Sequence, residues 1–393
     1  MVPPERVAEI TDVRPKQCER CHEPLAGIDP NPHRHQIVDV PREPATAVEY
    51  RLHSLVCTGC GTATRAALPD GVSRRVFGPN LVALIALLGG SYRLSKRLIE
   101  SIIADVYGID ISLGSVAKLE QEMAAALAPA HEEAATYVHK AQVVNADETG
   151  WTEARKKAWL WVAVAVHVAV FLIRCNRNAK AARELVGESF RGILGADRFS
   201  AYAWVDRSRR QLCWAHLKRD FTSFADHGLL EGGISDNLLV EMRRMMRWWH
   251  RVRDGTLSRE DFQKKMRAVR RTVGELLRLG QRCGVPKVAG MCREILALEP
   301  ALWTFVDEPG VEPTNNSAER ALRRAVIWRK VSFGTDSERG SRFVERILTT
   351  VTTLRMQRRN VLDFLAETMA AHRRGRPMPS LLPAAPPQLA IAA

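Results

Sequence analysis

The sequence predicts an α/β protein, with a strand-rich centre between two helical regions and a small cysteine-bearing module in front of them. Three observations predict it. Apolar and β-branched runs concentrate between residues 142 and 215, the stretches on either side carry helical spacing, and two Cys-x-x-Cys pairs bracket a segment holding Pro and His. At 393 residues, 46% hydrophobic and 26% charged, the chain has material for two or three cores, which excludes a disordered or fibrous class.

Residues 15–70 read as a zinc-binding module. Cys18-x-x-Cys21 and Cys57-x-x-Cys60 make the two-knuckle arrangement of a tetrahedral Cys₄ zinc site. The stretch between the pairs is long and holds His22, His33 and His35, so a histidine in place of one thiolate stays open, as does a redox-active pair. Residues 75–135 read as a helical, DNA-binding region. Helical spacing from Phe77 to Leu127 breaks at Gly89-Gly90 and at Gly108, and Ser112 is placed to cap the helix through Met123. With Ser112–Glu122 as recognition helix this is a helix-turn-helix; a plain helical hairpin packed on the core reads equally well.

Residues 140–220 read as the first part of a core. Strands are expected at Gln142–Ala146, Ala158–Ala165 and Val168–Arg174, the last two joined by a tight turn near His167. A helix follows at Ala179–Glu188, then strands at Gly192–Ala196 and Gln211–Ala215. Residues 221–312 read as a helical insertion, and residues 313–370 as the second part of the core, with helices at Asn316–Lys330 and Arg342–Arg358. The Pro- and Ala-rich residues 377–393 are expected to be a disordered tail. Three strands, a helix, two more strands and a late helix are the order of a ribonuclease-H-like sheet, an order other α/β domains share.

The chemistry rests on acids. Asp147 follows the apolar run Val143-Val144 and Asp197 follows Gly192–Ala196, so both are expected at strand ends, where adjacent strands lie about 4.8 Å apart. Alternation puts Glu148 on the opposite face from Asp147. Glu319 falls in the first turn of the late helix, where a capping-box role for Asn316 competes with a metal-ligand role. Three converging carboxylates suit Mg²⁺ or Mn²⁺, and without the ions such crowding raises carboxylate pKa values.

A formal charge of +14 and a pI near 9.7 favour a polyanionic partner, nucleic acid first. The surplus is clustered: Asn315 to Arg376 holds 14 Lys and Arg against 6 Asp and Glu. Arg320, Arg323, Arg324, Arg329 and Lys330 surround Glu319, while Arg243, Arg244, Arg247 and Arg251 flank Trp248-Trp249, a mixture suited to phosphate contacts and base stacking. Cys213-x-x-His216 has ligand-like spacing but supplies only two donors, so satisfied core residues are the first reading; the alternative stands His216 beside the metal ligands, near the scissile phosphate. The start reads as no signal peptide, Leu81–Leu88 is too short to span a bilayer, and His167 interrupts Ala158–Ile173. A reducing bacterial cytoplasm, in association with the nucleoid, is the expected location.

The segments Val-Asn-Ala-Asp147-Glu-Thr-Gly-Trp, Gly-Ala-Asp197-Arg-Phe-Ser-Ala-Tyr, Trp-Ala-His216-Leu-Lys-Arg-Asp-Phe and Asn-Asn-Ser-Ala-Glu319-Arg-Ala-Leu-Arg-Arg resemble, in the same order, the IS66 family of bacterial insertion-sequence transposases. The resemblance runs from about Cys18 to Met369, and the Glu319 segment is its most specific piece. It implies a DDE catalytic triad on Asp147, Asp197 and Glu319, cut-and-join transposition of a DNA element, and a helical insertion before the glutamate. It also implies an N-terminal zinc segment, DNA partners in the form of terminal inverted repeats and target, a homo-oligomeric synaptic complex, and accessory proteins of the same element. A zinc-containing DNA-binding protein that has lost catalysis and a non-transposing nuclease of the same fold are the competing functions.

Overall fold

The computed structural model describes residues 2–40, 45–226 and 233–383, and the chain divides into two compact units, Met1–Glu49 and Tyr50–Ala393. In the first, a short turn at Pro4–Arg6 is followed by extended chain, and a bridge between Gln17 and Pro24 closes a tight loop.

The second unit begins with an antiparallel hairpin, β1 (Ser54–Val56) and β2 (Ala63–Arg65). Four helices follow: α1 (Pro79–Gly90), α2 (Lys96–Tyr107), α3 (Leu113–Ala126) and α4 (Ala128–Lys140). Ser95 and Ser112 cap α2 and α3 by accepting from the N–H groups of Leu98 and Ser115, as their side-chain chemistry favours. The apolar α1 is buried because it packs on both α3 and α13 (Val361–Arg374).

The central sheet comprises β3 (Val143–Glu153), β4 (Lys156–Ala165), β5 (Val168–Arg174), β6 (Ile193–Ala196) and β7 (Arg210–Leu212), in the spatial order β5-β4-β3-β6-β7. The first three form an antiparallel meander; β6 runs parallel to β3, and β7 parallel to β6. Helix α5 (Ala179–Val186) makes the crossover into β6. Beyond β7 come α6 (Trp214–Asp226), α7 (Ile234–Arg253), α8 (Arg259–Gln281), α9 (Pro286–Ala297) and the single turn α10 (Thr304–Asp307). They enclose a hydrophobic core of their own around Trp214, Phe221, Trp249, Phe262 and Phe305, separate from the core under the sheet. The chain returns with α11 (Asn316–Ser332), which lies across β3 and β4, and α12 (Glu338–Met356), which packs on β5.

Three side chains of α12 complete the outer edge of β5. The N–H groups of Ala169, Phe171 and Ile173 donate to Thr353 Oγ1 (3.0 Å), Thr349 Oγ1 (3.0 Å) and Glu345 Oε1 (2.5 Å). Four residues of helix rise about 6 Å and two residues of strand about 6.6 Å, so i, i+4, i+8 on the helix matches every second strand residue.

Three expectations need correction. Strand β3 continues to Glu153, well past the expected end at Ala146, because Asp147–Glu153 keep antiparallel partners in Val162–Lys156 of β4; Asp147 therefore lies inside the strand. The last strand stops at Leu212 and Trp214 opens α6, its indole donating to Leu302 O at 2.9 Å in the insertion's core. The tail is ordered at its start: Leu381 is buried, its N–H donates to Glu133 (2.8 Å) and its carbonyl accepts from Gln357 (2.9 Å). Residues 384–393 lie outside the described residues. Among the described residues, no helix is long and apolar enough to cross a membrane.

Candidate active site

Parallel pairing of β3 with β6 sets Asn145 opposite Gly195, and Asp147 and Asp197 each stand two residues further along. The approach is close: a Cβ on Gly195 would lie 2.3 Å from Asn145 Oδ1. Asp197 leaves the end of β6 in a turn, its Oδ1 accepting from the N–H of Phe199 (2.9 Å) and its carbonyl from buried Arg210 (3.1 Å). Asp147 Oδ1 accepts from the N–H of Glu148 (3.0 Å).

Glu319 is brought to these strands by the residue at the start of α11. Buried Asn315 donates its N–H to Cys213 Sγ (3.4 Å) and its side-chain amide to Ala146 O (3.3 Å), which pins the helix start beside Asp147. The N-cap residue is Asn315, not the expected Asn316, and it makes no side-chain cap bond. Glu319 is the fourth helical residue; its N–H donates to Asn315 O (3.2 Å) while Oε1 is buried without a hydrogen-bond partner. The capping box is thus not formed.

The three acids interact through their charges, although among the described residues their oxygens do not form a group within 4.8 Å of one another. The Asp147 carboxyl is pushed up to about 7, first by burial and then by Glu148, with Asp197 and Glu319 adding repulsion against the help of the Glu148 N–H. His216, on the first turn of α6, has Nδ1 3.6 Å from Glu319 Oε1. Burial foremost, then Arg219, lowers its proton affinity, although Asp197 and Glu319 favour the imidazolium. Cys213, His216 and Glu319 hold their donor atoms within 4.8 Å of one another, so Glu319 completes the pair that spacing alone left short. Burial pushes the Cys213 thiol up, which disfavours the thiolate that would ligate. A cavity of about 440 Å³ opens over Asp147, His216, Glu319, Arg219 and Arg323; Asp197 does not line it.

Glu148 lines the same cavity but is held by other partners. Tyr202, fully buried, donates its hydroxyl at 2.6 Å, and Arg177 donates through Nε (3.0 Å) and Nη2 (2.6 Å). Burial raises Glu148, and burial followed by Glu148 itself holds Tyr202 well above the usual phenol range. Sequence reasoning missed Tyr202, Arg177, Arg219 and Asn315. Arg177 carried no signal; Tyr202 and Arg219 lie inside the segments that carry the family resemblance, and Asn315 stands next to the residue expected to cap α11.

The basic residues divide. Arg320, Arg323 and Lys330 are exposed on α11, and Arg243 and Arg247 on α7. Arg329 instead turns inward, Nη1 donating to Thr149 Oγ1 (3.1 Å) and Gly150 O (2.8 Å), and Arg324 is half-buried. Trp248 is half-buried, with Arg244 4.8 Å and Lys265 5.4 Å from its ring centre. Trp249 belongs to the core and donates to Glu312 (3.1 Å).

Each Cys-x-x-Cys pair occupies the same kind of turn. The N–H of Cys18 donates to Glu23 O and that of His22 to Cys18 O; likewise Cys57 donates to Thr62 O and Gly61 to Cys57 O. Two thiols per turn suit a soft cation. The backbone N–H of Cys21 holds the Cys18 thiol below its usual range, and the Thr62 hydroxyl does so for Cys60. His33 and His35 are exposed.

Comparison with known proteins follows the same residues. An uncharacterized protein of Sinorhizobium fredii, y4qI, is 29% identical over 245 residues, 56% of this chain and 45% of the relative, so the chain spans about half the length of the curated relative it matches. Residues 74–343, a stretch that contains all three acids and most of the chain, match the family described as Transposase IS66 family, and the chain belongs to that family.

Proposed function

We propose that this protein is a DDE transposase that cuts the ends of a DNA insertion sequence and joins them to target DNA, with Asp147, Asp197 and Glu319 as ligands of divalent cations. The observation that carries this reading is the carboxyl of Asp147, pushed up to about 7 by burial first and then by Glu148, with Asp197 and Glu319 adding to the repulsion. A hard divalent cation fits the donor set: three carboxylates, with Glu319 Oε1 buried and unpartnered. Magnesium or manganese, when bound as a pair, activates the attacking oxygen and offsets charge on the leaving oxygen of an in-line displacement.

The chain's own residues prepare that chemistry. Asn315 sets the start of α11 against β3, and the Phe199 N–H fixes the Asp197 carboxylate. His216, whose proton affinity burial lowers, stands beside Glu319. Arg219 and Arg323, lining the same cavity, supply positive charge for phosphates, with Arg320, Lys330, Arg243, Arg247 and Trp248 as further DNA contacts. The sheet order, with three antiparallel strands followed by two parallel ones, supports a ribonuclease-H-like core split by the insertion α6–α10. Structural zinc on Cys18, Cys21, Cys57 and Cys60 belongs to the same proposal and rests on the sequence spacing of the two pairs.

The test pairs binding with cleavage. Asp147→Asn and Asp197→Asn should bind DNA bearing the element's ends as wild type does yet lose strand cleavage in Mg²⁺, since the carboxylates serve chemistry more than docking. Cleavage by either variant at near wild-type rate would remove that acid from the triad. Joining of a cleaved end to target separates a transposase from a nuclease, and wild-type protein that binds without cutting would fit the non-catalytic reading.

A further inference from the structure

The strand that carries Asp147 ends in a basic tip that none of the chemistry above uses. Strands β3 and β4 are joined by Ala154 and Arg155 alone, and both take left-handed backbone, at φ 49° and 62°. Such a two-residue connection is normally made by Asn or Gly, so a chain that places Ala-Arg there accepts strain to keep the tip tight and to present Arg155. Arg155, Lys156 and Lys157 are all exposed, and among the described residues none of them pairs with a carboxylate. Lys157 stands over the Trp159 ring at 5.3 Å.

A second segment is fastened to this tip. Between α11 and α12, Thr335 bridges to Glu153, its N–H donating to Thr152 O (2.9 Å) and its carbonyl accepting from Ala154 N–H (2.8 Å). The contact is so close that a Cβ on Gly334 would lie 2.2 Å from Thr152 O. Directly before Gly334, Phe333 is 79% exposed and also left-handed, at φ 58°. The left-handed backbone of Phe333 caps α11, its N–H donating to Arg329 O (2.9 Å), but its large ring is held out in solvent on a segment bonded to the strand residues just before three consecutive cations.

We propose that Arg155, Lys156, Lys157 and Phe333 form a second DNA-contact site, which grips duplex away from the scissile phosphate. Cations supply phosphate contacts and the ring supplies stacking or wedging against base steps. Placement gives its reach: from Asp147 to Glu153 is six residues of strand, roughly 20 Å, which is about six base pairs of duplex. The inference takes its DNA partner from the transposase reading but is independent of the acids.

The test is equilibrium binding of the full chain to a short mixed-sequence duplex over a salt series without added divalent cation. Variants are Arg155→Asn with Lys156→Gln and Lys157→Gln, in which Asn suits the left-handed turn; Phe333→Asn; and the charge-preserving Lys156→Arg with Lys157→Arg. The neutralised variant should lower the slope of log K against log salt by about 2.7, near 0.9 per phosphate lost. Phe333→Asn should weaken binding roughly tenfold at unchanged slope, and the arginine variant should keep the wild-type slope. An unchanged slope in the neutralised variant would overturn the proposal and leave the tip to an acidic protein or a second copy of this chain. Equal loss in the arginine variant would overturn it too, because the effect would then be one of shape. Asp147→Asn in the same assay keeps the two readings apart, since failure of the catalytic triad leaves this slope untouched.

Discussion

Replacing Glu319 by Gln separates a ligand from a helix-start residue. As the fourth residue of α11, Glu319 contributes to folding chiefly through its charge near the helix N-terminus, about 0.3–1 kcal/mol. Its buried Oε1 has no hydrogen-bond partner to lose, and removal of one negative charge relieves Asp147. Melting should therefore move by no more than about 3 °C for a chain of this size. On the proposed reading catalysis needs the charge itself, and losing one fixed electrostatic contact to a reacting phosphate costs on the order of 3–4 kcal/mol, a rate loss of about 10²–10³ or more. The assay is single-turnover strand cleavage in Mg²⁺ beside thermal melting, with Glu312→Gln and Glu338→Gln as controls. Glu312 accepts from Trp249 and Glu338 opens α12, so neither control should lose cleavage. Cleavage retained by Glu319→Gln, or lost only in proportion to a large drop in melting, would refute the assignment.

Protein purified without chelator should carry about one zinc per chain, and Cys57→Ser with Cys60→Ser should abolish it; metal analysis that finds no zinc in wild type, or unchanged zinc in the variant, rejects the site. Glu345 is pushed up to about 7 from 4.5, by burial first and against Arg342, the Ile173 N–H and Arg174. Its protonated form is favoured on folding, so the associated stability is full below about pH 4.5 and falls by about 3 kcal/mol as pH rises through 7. Glu345→Gln keeps an acceptor for Ile173 and should flatten that dependence in denaturant titrations; an identical pH profile in both proteins would contradict it.

The sheet was legible where burial wrote it. Strands β4 and β5 are apolar on both faces, and their expected bounds fall within two residues of those observed. Strand β3 was foreshortened because Asp147-Glu-Thr-Gly-Trp-Thr-Glu153 carries functional and polar side chains on a backbone ladder that hydrophobicity does not report. Likewise, Gln211–Ala215 reads as one apolar run, yet its second half turns into α6, whose Trp214 buries in a different core. For the acids, residue type and order sufficed to name candidates. Their support was invisible, because Asn315 on Ala146, Tyr202 on Glu148 and Arg329 on Gly150 are contacts across 169, 54 and 179 residues of chain. Local spacing does encode the two cysteine turns, whose hydrogen bonds close within five residues.

The ladder from α12 to β5 also bears on how copies of this protein meet. A sheet's outermost strand normally offers a row of unused N–H groups as a template on which another chain can add a strand. Here three alternate N–H groups of that row are taken by Thr353, Thr349 and Glu345, under a helix that lies along the strand. Continuation of the sheet from one molecule into the next is blocked at β5. Copies of this protein therefore cannot share backbone pairing on this side of the sheet, and contacts there are left to side chains of α12.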